Sequence, residues 1–171
     1  MSQQHSKSAS LASNVGGCLV LLIMIGVFVL LVRPSFLKKV RNIKQAEARD
    51  YVRSINKGQQ AYLAEKSVFS TSVKALGIGI KTETENYKYS LVTTKKATFN
   101  YGSSKQKDLK SYVGGVFVIP AKEVEPNAAQ EEITTTSILC QADFSGTIKP
   151  AEPIYQNGKI ACGKDTTQVT R

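Results

Sequence analysis

The sequence predicts an α+β protein in which a long N-terminal helix, apolar in its first half and amphipathic in its second, packs on an antiparallel β-sheet. Three observations carry this. An uncharged apolar run fills residues 15–32, and a three- and four-residue apolar period follows it to about Ala64. Beyond Ser67 the composition shifts to short β-branched or alternating stretches divided by turn residues. At 171 residues the chain has room for about one domain.

The first segment, 1–14, reads MSQQHSKSASLASN; it is Ser- and Gln-rich, lacks a hydrophobic period and reads as a leader or a disordered tail. Residues 15–32, VGGCLVLLIMIGVFVLLV, carry no charge. At 1.5 Å per residue they give about 27 Å, enough to cross the hydrocarbon of a membrane. A retained transmembrane helix is the favoured reading, with a cleaved signal peptide as the alternative because Lys7 precedes the run. Arg33, Pro34, Ser35 and Phe36 follow it where a small-x-small cleavage site would be needed. In 33–66, Val40, Ile43, Ala48, Val52, Ile55, Gln59 and Tyr62 form the apolar stripe of a helix that continues from the anchor. Pro34 should kink this helix rather than end it. The two halves make about fifty helical residues, roughly 75 Å. Ile55 and Tyr62 are expected to face the sheet.

Residues 67–171 read as a globular β-sheet domain. A short helix at Thr71–Leu76 stops at Gly77, which suits a left-handed cap, and GIGIKTETEN (77–86) is a polar loop. Strands are expected at Tyr87–Thr93, Ala97–Tyr101, Val113–Ile119 and Ile133–Ala142, with Pro120 closing the third. Asn157-Gly158 is a type I′ turn pair, so Ile154–Gln156 and Lys159–Cys162 should form a hairpin. Short links between successive strands imply antiparallel pairing.

The formal net charge is +10, and much of it is local: 33–66 holds nine basic residues against three acidic ones, an excess of +6. Arg33, Lys38, Lys39, Arg41 and Lys44 sit directly after the apolar run, where they would meet anionic headgroups. Nucleic acid is the weaker reading, because aromatics do not interleave with the basic residues as stacking sites would. By the positive-inside rule this basic flank belongs in the cytoplasm. Cysteine usage argues the other way. With Cys18 in the apolar run, Cys140 and Cys162 form an isolated pair in strand-like surroundings, which points to a disulfide and an oxidising compartment. Closing that loop contributes roughly 3 kcal/mol. The extracytoplasmic location is favoured.

Catalytic constellations are missing: the only histidine, His5, lies in the tail, which removes Ser-His-Asp, Cys-His and histidine-rich metal sites. Gly77-Ile78-Gly79 lacks the context of a dinucleotide loop. Glu83/Glu85 and Glu131/Glu132 read as solvated loop charge, and Tyr87/Tyr89 as one-face sheet packing. No enzyme activity, cofactor or metal is expected.

Several stretches together carry a family resemblance: Gly26 followed eight residues on by Pro34-Ser35-Phe36-Leu37, then AEARDYVRSINKGQQAYLAEKSVF (46–69), ALGIGIKTETENYKYSLVTT (75–94), LKSYVGGVFVIPA (109–121), ITTTSILCQA (133–142) and NGKIACG (157–163). Over residues 26 to about 163 the chain resembles type IV pilin-like proteins, most closely the pilin-like G/H group found in cyanobacteria. The resemblance implies a ladle-shaped subunit whose N-terminal half-helix sits in the membrane and then packs into a filament core. The sheet faces outward, with a terminal loop often closed by a disulfide, here Cys140–Cys162. Aligning Pro34 with the family proline puts leader cleavage between Ala12 and Ser13, and Gly17 where pilins carry a glutamate. In the family that carboxylate pairs with the N-terminal ammonium of a neighbouring subunit, so its loss makes a poor major subunit.

The expected function is therefore a non-enzymatic minor pilin or pseudopilin of a type IV pilus or related secretion machine, serving motility or secretion. It would assemble through its N-terminal helix, with Gly26 and Pro34 in the helix packing. Its partners would be other pilin subunits, the inner-membrane platform, a prepilin peptidase and the membrane. The alternative is a membrane-anchored binding module for DNA or another polyanion.

Overall fold

The computed structural model describes the backbone of residues 8–170 and the side chains at 17, 20–27 and 36–170. The chain forms two compact units, Met1–Asn42 and Ile43–Arg171. A single helix, α1, runs from Ser8 to Lys66. The sequence pattern divides this stretch at residues 14, 32 and 66; the backbone is helical through the first two of those points. Pro34 lies within α1, its side chain outside the described residues.

In the first unit the described part of the apolar run is bare: Val20, Leu21, Leu22, Ile23, Met24, Ile25 and Val27 are 48–66 % exposed. Among the described residues no helix is long and apolar enough to cross a membrane. Of the run at 15–32, however, only 17 and 20–27 have described side chains.

The second unit has three layers. Its centre is a five-stranded antiparallel sheet in the order β1-β2-β3-β4-β7, from β1 (Tyr87–Thr93), β2 (Ala97–Ser104), β3 (Lys110–Pro120), β4 (Ile133–Ser145) and β7 (Thr166–Gln168). A separate hairpin of β5 (Ile154–Gln156) and β6 (Lys159–Ala161) turns at Asn157 (φ 52°) and Gly158 (φ 73°), as a type I′ turn requires. A 3₁₀ turn at Lys74–Leu76 ends on Gly77 in the left-handed region, φ 65°, where a residue without Cβ is unstrained.

Alternation along the strands builds two cores. On the helix side Ala48, Val52 and Ile55 pack with Val73, Tyr87, Tyr89, Leu109, Tyr112 and Leu139. On the opposite side Ala97, Tyr101, Val113, Phe117, Ile119, Ile138 and Cys140 pack with Tyr155, Ile160 and Cys162 of the terminal hairpin region. The sheet is thus covered on both faces, and this explains why β3 is apolar nearly throughout where an open sheet would alternate.

The stripe on α1 differs from the sequence pattern at its ends. Ala48, Val52, Ile55 and Gln59 are buried, and Tyr62 is half-buried. Ile43 is 62 % exposed, because the helix buries only the turns that lie over strands. Replacing Ile55, which is fully buried, by Asp places an unpaired carboxylate in the first core at a cost of several kcal/mol, much of a small domain's stability. Ile55→Asp should markedly lower the melting temperature of the full chain in detergent, whereas an unchanged melt would show that this face of α1 does not hold the sheet.

Candidate assembly surface

Two regions of the chain present chemistry for assembly: the bare apolar turns of α1, and the domain that its C-terminal part organises. In the first, hydrocarbon side chains stand in solvent that a folded monomer would normally deny them; each buried side chain of this type gains about 1.5–3 kcal/mol. Gly26 is exposed, and a Cβ placed on it would meet nothing within 4 Å. Among the described residues nothing covers the helix surface there. Ala12 and Ser13, at the expected leader cut, lie in the helical backbone of α1, but their side chains are outside the described residues.

In the second region a buried polar seam registers α1 on the sheet. Asn56 Nδ2 donates to the Ile138 carbonyl at 3.0 Å, and Asn100 Nδ2 donates to Asn56 Oδ1 at 2.9 Å. Thr98 Oγ1 reaches Asn100 Oδ1 at 3.4 Å and lies 3.3 Å from Thr93 Oγ1, which donates to the Ser70 carbonyl at 3.0 Å. Gln59 closes the chain: its Nε2 donates to the Ser70 carbonyl at 3.0 Å and its Oε1 accepts from Ser70 N at 2.9 Å. Nearer the ends of the docked helix, Gln45 Oε1 accepts from Lys110 N at 3.0 Å, and Gln60 Nε2 donates to Thr135 Oγ1 at 2.9 Å. Buried amides left unpaired would cost about 1–3 kcal/mol each, so only one sliding position satisfies the set.

Glycines make the approach close enough. A Cβ on Gly114 would overlap the Asn56 amide, and one on Gly102 would come within 2.9 Å of Val52. On the other face a Cβ on Gly115 would lie 2.9 Å from Phe117 and 3.2 Å from Pro153. Asn56 and Asn100 were not among the residues that the sequence pattern singles out. Their signal, a polar residue at a helix position flanked by Val52, Ile55 and Gln59, is no different from that of a solvated face.

The terminal segment is tied to the sheet by the Cys140–Cys162 disulfide, whose Cα atoms are 5.8 Å apart. Tyr101, beneath this segment, donates to Glu152 Oε1 at 2.5 Å, and Lys149 Nζ stands 4.3 Å over its ring. Among the described residues no three His, Cys, Asp or Glu side chains gather as a metal site.

The cores also hold four tyrosines whose ionisation is displaced upward. For Tyr87, Tyr89 and Tyr112 burial is the main cause; for Tyr101 burial leads and the Glu152 carboxylate adds to it. Tyr112 is pushed up to about 12. The protonated form is therefore the one that folding favours. This stabilisation is complete below the unfolded-state value near about 10 and is lost as the pH rises through it toward the folded-state values. The melting temperature should fall as the pH climbs from about 10 to about 12, with phenolate absorbance appearing together with unfolding. Phenolate absorbance from these four residues well before any loss of structure would contradict their burial.

A helix that leaves apolar turns bare, with a further stretch locked onto a disulfide-bearing antiparallel sheet, defines the pilin-like class of assembly subunit. The family model described as type IV pilin-like G and H matches residues 45–163, and the chain belongs to that family. It is thus a type IV pilin-like protein, of a family whose members are structural and assemble with other pilin subunits. The match covers the docked helix and the sheet through the disulfide; Gly26 and Pro34-Ser35-Phe36-Leu37 precede it. No curated protein and no solved structure matches the chain.

Proposed function

We propose that this chain is a minor pilin or pseudopilin-like subunit of a type IV pilus or a related secretion machine, assembled through its N-terminal helix. The observation that carries the reading is the bare apolar stretch Val20–Val27 on a helix whose later turns hold a folded domain. Before assembly the stretch is held in the inner membrane as part of a single span at 15–32, with the sheet domain outside the cytoplasm. On assembly, lipid contacts are replaced by neighbouring helices around Gly26, supplied by the inner-membrane platform. The Cys140–Cys162 disulfide supports the extracytoplasmic side.

Gly17 makes the subunit a minor one. A glutamate at the corresponding pilin position offsets a neighbour's terminal ammonium in a low-dielectric core, and glycine offers no such partner. Cleavage between Ala12 and Ser13 by a prepilin peptidase removes the Lys7-bearing tail before entry.

Quantitative mass spectrometry of sheared filaments and membranes is the test. Low filament abundance with a larger membrane pool is expected, and Gly17→Glu should raise the filament share. Wild-type protein as the dominant filament component would overturn the minor-subunit reading. Absence from filaments with Met1 or Ser2 still at the N-terminus would replace it with a membrane-retained role. Thiol labelling of unreduced, denatured protein should leave Cys140 and Cys162 unmodified, and modification of both would remove the argument for the outer compartment.

A further inference from the structure

The strand β4 begins at an open sheet edge, beside a groove that the chain itself does not fill. In an antiparallel ladder the backbone groups of alternate residues point to the same side. Val169 N donates to the Leu139 carbonyl on the side away from β3, while the Glu132 carbonyl turns the other way, to Ala121 N. Ile133 and Thr135 therefore direct their N–H and C=O groups outward. β7 pairs with Cys140–Ala142, and its register carries Thr170 to the level of Ile138. Among the described residues no backbone partner takes the outward groups of Ile133 and Thr135. The vacancy thus runs from Ile133 to Thr136.

Nothing guards it. Ile133–Thr136 contain no charge and no proline, the usual devices against edge pairing. A groove of about 350 Å³ lies beside this edge on the helix side, lined by Leu63 and Ala64 of α1 and by Ile133–Thr135. Ile133 is 63 % exposed, an apolar side chain at the rim of the groove. At the same end stand the exposed carboxylates of Glu131 and Glu132. Among the described residues neither is in an ion pair.

We infer that the start of β4 is a docking site for a short extended segment of another protein, which adds antiparallel to Ile133–Thr136 and ends in basic residues. Each of the two outward residues exchanges one N–H and one C=O with the guest, about four hydrogen bonds in all. Guest side chains opposite Ile133 and Thr135 fall on the face that Thr135 turns to Gln60, over the groove. They are therefore apolar and two residues apart. Antiparallel direction then carries the next two guest residues to Glu132 and Glu131, where Lys or Arg meets an unpaired carboxylate. Main-chain bonds supply the affinity of such a strand addition, and the groove and the two acids supply its selectivity. A folded sheet edge from a second copy is too long for the vacancy, which ends at Thr170 and Glu131; a short free segment fits. The site does not depend on the minor-subunit reading.

The test titrates the full-length chain in dodecyl maltoside micelles into a fluorescein-labelled peptide amide, Thr-Val-Thr-Val-Lys-Lys, and follows polarisation against empty micelles. Saturable binding is expected, with slowed hydrogen exchange at the Ile133 and Thr135 amides. N-methylation of both valines removes the two donors that face β4 and should weaken binding roughly tenfold or more. Glutamates in place of the two lysines should also weaken it, and Glu131→Lys with Glu132→Lys should reverse the preference between the two peptides. Ile133→Pro, at the first residue of the strand, removes an outward N–H and no ladder bond to β3. It should abolish binding while keeping the disulfide and the wild-type melt. Should that variant not fold, Ala64→Phe, at an exposed helix position, fills the groove and should have the same effect. No saturable binding, equal binding of the N-methylated peptide, no reversal of the charge preference, or unchanged binding by either folded variant would overturn the assignment.

Discussion

The Asn56 amide is the point on which the domain turns. It is a polar side chain at the middle of a helix face, held 3.0 Å from the Ile138 carbonyl and 2.9 Å from Asn100. An apolar stripe alone would let α1 slide along the sheet at little cost, since the hydrophobic effect is not directional. A buried amide that must find both a donor and an acceptor allows one position. Gly114 leaves the hole that this amide occupies, and Gly102 leaves the one beside Val52. Polar seam and glycine notches therefore fix the same register.

That fixation matters for a subunit built on a single long helix. The bare turns at 20–27 gain from any apolar neighbour, and within the second unit the helix is attached to the sheet through residues 45–60. Gln45, Asn56, Gln59 and Gln60 spread the attachment over four turns, reaching Lys110, Ile138, Ser70 and Thr135 in different parts of the fold. The far side of the sheet is secured by other means. Phe99, Phe117 and Tyr155 form a short aromatic row with centroids 5.8 and 5.9 Å apart, and the disulfide pins the segment that covers it. With both faces covered in this way, the unpaired backbone is concentrated at the edges.

Much of the fold was legible from local pattern. The strand cores at Tyr87–Thr93 and within β3 and β4, the Gly77 cap and the Asn157-Gly158 hairpin follow from side-chain alternation and turn chemistry. β2 and β4 run three residues beyond their expected ends, to Ser104 and Ser145, and β7 at Thr166–Gln168 was not anticipated. Polar residues such as Ser103, Ser104 and Thr166 join a strand only when a neighbouring strand offers its backbone, and no local signal records that offer. The exposure of Ile43 has the same origin, for helical period marks which residues share a face but not how far the partner sheet extends.

Local pattern is enough for the class of protein: the α+β plan, the apolar run, the paired cysteines and the family stretches are written in composition and spacing. The tertiary structure alone decided that Asn56 and Asn100 are interior, that each glycine of the Gly114-Gly115 pair makes room on a different face, and which strand edges stay open. Those are facts about residues distant in the chain; Asn56 and Ile138 are separated by 82 positions. A polar side chain has the same pattern whether water or a carbonyl satisfies it. Only the fold, by bringing the carbonyl there, makes the difference.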